Sequence, residues 1–78
     1  MINEALRTNI HNAISDSRDL DTMFKILLDF RTNGGRQSEA IDTLEYMRKE
    51  SSGEYEDKIL EIMDFASGFC IPKYKVWQ

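Results

Sequence analysis

Apolar residues recur at helical spacing in four stretches of the chain, with short polar segments between them. From Asn3 to Ser15, Leu6, Ile10, Ala13 and Ile14 share one stripe, and Ile2 leads into it. Asn3 suits the N-cap and Glu4 the first turn, where a carboxylate is favoured by the helix dipole. Asp16-Ser17-Arg18-Asp19 breaks the pattern. From Leu20 to Thr32, Leu20, Met23, Phe24, Leu27 and Leu28 form a second stripe, widened by Ile26 and Phe30. Its breadth predicts the most buried helix. Asp19 can cap it, and Asn33-Gly34-Gly35 can end it, because glycine tolerates the left-handed conformation at a helix C-terminus.

The third stripe is narrower: Ala40, Ile41, Leu44 and Met47, with Arg48 and Lys49 in the last turn. The fourth runs from Gly53 to Ser67. Ser51 and Glu54 have the spacing of a capping box, Ser52 is an equally good cap, and Gly68 supplies the stop. Pro72 forbids a helix beyond it. Lys73 to Gln78 alternates polar with apolar residues and reads as extended. The predicted helices are 3–15, 20–32, 38–49 and 53–67, followed by a tail over 69–78. Four amphipathic helices with short turns predict an all-α fold: a compact antiparallel four-helix domain spanning 1–78. The apolar C-terminal tail is expected to pack on it, with Phe69 and Ile71 closing one end.

The last helix carries the most distinctive polar pattern. Glu54, Asp57, Glu61 and Asp64 are spaced three, four and three apart. At ~100° per residue they fall within roughly 80° of one another around the helix. Tyr55, Ile59, Ile62, Met63 and Ala66 centre on nearly the opposite side. Overall charge reinforces the pattern. The chain has a formal net charge of -4. Between Glu39 and Asp64, nine acids stand against three bases, so that segment carries -6 and the remainder +2. This distribution argues against nucleic acid and anionic membranes, whose ligands present basic patches. Helix lengths, with Arg31 and Arg36, give a DNA-binding helix-turn-helix some support, and the acidity counts against it. No apolar run approaches the ~20 residues of a membrane span.

Seventy-eight residues allow one small core, and such a core gains from association. The single cysteine, Cys70, excludes an intrachain disulfide and fits a reducing compartment. Glu4 and Arg7 stand where an export signal needs apolar residues. The expectation is a cytoplasmic protein.

Candidate chemistry is sparse. A di-iron site in a bundle needs inward Glu-x-x-His pairs. The one histidine, His11, follows Thr8 at that spacing and lies among Thr8, Asn12 and Ser15 on the polar side of the first helix. Zinc needs several Cys or His ligands, and there is one of each. Nothing in the sequence pairs Cys70 with His11 as nucleophile and base. Gly34-Gly35-Arg36 follows no strand and is no phosphate loop. No catalytic residue, metal or cofactor is expected, and the chain reads as non-enzymatic.

Two surfaces remain. The carboxylates Glu54, Asp57, Glu61 and Asp64, with Asp42 and Glu45 of the third helix, would form a negative face for a basic protein partner. Tyr74 and Trp77 of the tail combine aromatic anchors with lysines and could face a partner or a second copy. In size, acidity and helical pattern the chain resembles the small immunity proteins that neutralise nuclease toxins. That resemblance implies an inhibitor or antitoxin role, carried by an acidic helical surface. The alternative is a small structural or assembly subunit, or a homodimer, associating through the apolar tail and the second helix.

Overall fold

Leu6, Met23, Leu44 and Ile62, one from each predicted helix, meet in a single core. The computed structural model describes residues 2–68 together with Val76 and Trp77. Four helices account for most of them: α1 (Glu4–Ser15), α2 (Leu20–Thr32), α3 (Gln37–Lys49) and α4 (Gly53–Ser67). The described residues contain no strand. The radius of gyration is 11.1 Å, close to the ~11.5 Å expected of a folded domain this size. No helix among the described residues is long and apolar enough to cross a membrane.

Local chemistry sets most of the helix ends. The side chain of Asn3 accepts from the Leu6 N–H, and that of Asp19 accepts from the Thr22 N–H. Each satisfies an amide that the helix itself leaves without a partner. Gly34 follows α2 at φ +92°, and Gly68 ends α4 at φ +88°. Two ends differ from expectation. α3 starts one residue earlier, behind Arg36, with no side-chain cap. The capping box before α4 does not form: the Ser51 hydroxyl turns back to donate to the Met47 carbonyl, and Ser52, the N-cap, makes no side-chain cap bond. The Ser51 hydroxyl thus adds a second donor to the Met47 carbonyl, which already accepts from the Glu50 N–H, and leaves the first amides of α4 without a side-chain cap.

Each helix has two main neighbours. α1 packs on α2 and α3, and α4 packs on α3 and α2, with α3 against α4 the most extensive pairing. The core comprises Leu6, Ile10 and Ala13 of α1, Met23 and Leu27 of α2, Ala40, Leu44 and Met47 of α3, and Ile59, Ile62, Phe65 and Ala66 of α4, with Val76. Thr43 is the one buried polar side chain among the described residues. Its hydroxyl donates to the Glu39 carbonyl and accepts from the backbone N–H of Asn3. The cost of burying it is thereby offset. Gln37 bridges the start of α3 to the end of α4, donating to the Ala66 carbonyl at 2.8 Å.

The expectation that α2 is the most buried helix is not met. Only Met23 and Leu27 are fully buried on it, against four residues on each of α3 and α4. Its apolar positions spread too far around the helix for two neighbours to cover, so Leu20, Phe24, Ile26, Leu28 and Phe30 stay half-buried.

Near the C-terminus, Val76 is fully buried. Its carbonyl accepts from the Arg31 guanidinium. The Trp77 ring meets Phe30 edge-on at 6.3 Å between centroids. The expectations for Phe69, Cys70, Ile71 and Tyr74 fall outside the described residues.

Candidate functional site

The amphipathic register of α4 turns Ile59, Ile62 and Ala66 into the core and leaves Glu54, Asp57, Glu61 and Asp64 exposed. No ion pair joins any of these four carboxylates to another described residue. Other surface carboxylates are engaged. Glu4 pairs with Arg7 at 2.9 Å, and Glu56 faces Arg48 at 3.6 Å.

Asp42 and Glu45 are also exposed, on α3. Glu45 lines a groove over the α3–α4 junction with Arg48, Lys49, Ser51 and Glu56. Two cations therefore lie beside Glu45. On the other side of α4, Glu54 shares a groove with Ile14, Ser17, Arg18, Tyr55 and Lys58. The negative face is thus strongest along Asp57, Glu61 and Asp64, and bases stand near both of its flanks.

Two residues of α4 depart from the periodicity. Leu60 is 38% exposed. It lies about 40° from Asp64 around the helix, so an apolar side chain borders the acidic row. Phe65 lies about 20° from Glu54 by the same geometry. It is nevertheless buried, because Phe24 of α2 meets it edge-on at 6.3 Å. The sequence held a signal for Leu60 in the bare helical angle, but none for the helix that covers Phe65.

A second site lies where α1 meets the α3–α4 turn. His11 is exposed, as expected of the polar side of α1, but it has a partner. Its Nδ1 lies 2.9 Å from the Tyr55 hydroxyl, with the rings 5.8 Å apart. Arg7, His11, Tyr46, Glu50, Ser52 and Tyr55 line a groove of about 390 Å³. Tyr46 is 39% exposed. The neighbouring Glu50 carboxylate raises its phenol pKa above the ordinary value. Burial raises that of Tyr55, against a smaller lowering by Arg7. Both phenols are therefore neutral at physiological pH. Sequence reasoning missed this grouping because His11, Tyr46 and Tyr55 sit on three different helices.

Of the tail residues singled out in the sequence, Trp77 is half-buried against Phe30 and Tyr74 lies outside the described residues. Among the described residues, no group of three or more His, Cys, Asp or Glu side chains converges to hold a metal ion. The chain matches no known family model, no curated protein and no solved structure.

Proposed function

We propose that this chain is a non-enzymatic interaction protein that binds a basic protein partner through Glu54, Asp57, Glu61 and Asp64, with Asp42 and Glu45 at the margin. An inhibitor role of the immunity-protein or antitoxin type, in the cytoplasm, is the form of that reading. The observation that carries it is the exposure of the four α4 carboxylates without an ion pair to another described residue. Carboxylates already neutralised inside the protein add little attraction for a partner, whereas these four leave their full field in solvent. Leu60 beside them would give the interface an apolar contact.

An antiparallel bundle closed by its tail belongs to the same proposal. Connections of three or four residues support it, as do the Gln37–Ala66 and Arg48–Glu56 contacts at opposite ends of the α3–α4 pair. The homodimer reading has no observation of its own. Val76 and Trp77, the described residues of the tail, already contact α2 of the same chain.

The test is affinity capture with mass spectrometry, comparing the natural chain with the Glu61→Lys/Asp64→Lys double variant. The expected result is a basic protein that salt elutes and that the variant binds on the order of tenfold more weakly, since placing like charges across an interface costs several kcal/mol. Circular dichroism should show unchanged helicity. Equal capture by both proteins removes the reading.

A further inference from the structure

The groove between α1 and the α3–α4 turn adds to a carboxylate two features that the acidic face lacks: exposed aromatic surface and concavity. Tyr46 is one of only two large apolar side chains exposed among the described residues. Tyr46 lines the groove together with Tyr55 and His11, whose hydroxyl and Nδ1 lie 2.9 Å apart. Glu50 lines the same groove as Tyr46. The groove already contains one guanidinium, that of Arg7. Two bonds to Glu4 Oε2, at 3.0 and 2.9 Å, neutralise it. With Glu4 assigned to Arg7, the charge of Glu50 is left over.

We infer that this groove receives an arginine side chain of the basic partner, stacked on the Tyr46 ring and paired with the Glu50 carboxylate. The inference rests on the acidic-face reading for the character of the partner, and it adds where one side chain of that partner anchors. Arginine fits better than lysine for a geometric reason. A guanidinium is planar, stacks on an aromatic face and still presents its edge N–H groups to a carboxylate, which a compact ammonium cannot do. The groove volume of about 390 Å³ is within the range of small-ligand sites. Tyr46 supplies area at low entropic cost, as tyrosine anchors in interfaces do. Arg7, ion-paired with Glu4, lines the same groove as Tyr46 and Glu50.

The experiment is titration of isotopically labelled protein with N-acetyl-arginine amide, followed by amide chemical shifts, with sodium chloride at matched ionic strength as the control. The expected result is saturable shifts at His11, Tyr46, Glu50 and Tyr55. Tyr46→Ala should weaken binding about two- to fivefold, the worth of an exposed cation–π contact. Tyr46→Phe keeps the ring and should keep the response. Shifts centred on Asp57 and Glu61, shifts no larger than those with salt, or indifference to Tyr46→Ala would overturn the inference. Equal losses in Tyr46→Phe and Tyr46→Ala would also overturn it, since the ring would then not be the contact. A parallel titration with a lysine hexapeptide separates the two proposals. Shifts along α4 that vanish in Glu61→Lys/Asp64→Lys leave the acidic face standing even if the groove fails.

Discussion

The backbone N–H of Asn3 donates to the hydroxyl of Thr43 at 2.9 Å, joining residues forty positions apart in the chain. One cap residue thereby starts α1 through its side chain and docks α1 on α3 through its backbone. Thr43→Val removes the hydroxyl at nearly constant volume and leaves a part-buried amide without its partner. The expected cost is about 1–3 kcal/mol, the penalty of an unsatisfied group. Thr43→Ser keeps the hydroxyl and should cost less. Urea denaturation of the two variants checks the order, and a more stable Val variant would contradict it.

Gly35 lies against the ring of Phe30, where an added Cβ would overlap the ring atoms. Phe30 in turn meets Trp77. Gly35→Ala should therefore push Phe30 aside, destabilise the fold by about 1–3 kcal/mol as overpacking does, and shift the Trp77 emission. Trp77 is the only tryptophan, so fluorescence reads this contact alone. Unchanged emission with unchanged stability would rule out the crowding.

The Thr22 hydroxyl, and after it the Thr22 amide, hold the Asp19 carboxyl below its usual range. The folded state then binds this proton less readily than the unfolded state. The stabilisation is present above the unfolded value, near pH ~3.9, and is lost as pH falls through the lower folded value. Asp19→Asn can still cap α2 but does not titrate. Its urea midpoint should fall less steeply than that of the natural chain below about pH 4. Parallel curves would show that Asp19 contributes nothing to acid sensitivity.

Gly68 ends α4 at φ +88°, with its N–H on the Asp64 carbonyl at 3.0 Å. Gly68→Ala should cost about 1–2 kcal/mol, because a Cβ in the left-handed region meets the following carbonyl. Thermal unfolding followed by circular dichroism should then fall by several degrees, at about 4–8 °C per kcal/mol for a domain of this size. Gly68→Asn, which tolerates that region better, should lie between the two. Equal midpoints for Ala and Gly would mean that the left-handed end is not retained in solution.

Local physics made much of the fold legible. Spacing of apolar residues marks all four helices, Asn3 and Asp19 cap as their side chains suggest, and the carboxylates of α4 point outward because the opposite side is apolar. These features depend on neighbours within about one helical turn, and the chain states those neighbours directly. The failures have a common source as well. Ser51 could bond forward to α4 or back to α3, and both are short-range options that local chemistry leaves equal.

Tertiary packing decided the rest. A helical period defines an apolar face, but only flanking helices decide how much of it is covered. α2 therefore remains half-open despite its broad stripe, and Phe65 is buried beside a row of acids because Phe24 lies over it. Thr43 enters the core because Asn3 and Glu39 satisfy its hydroxyl. His11, Tyr46 and Tyr55, from three helices, become one groove only when α1 docks at the α3–α4 turn. The sequence by itself determined four helices, the caps of the first two and an acidic outer row, which are properties of single helices. Only the tertiary structure decided which side chains share a surface, because that depends on contacts between residues far apart in the chain.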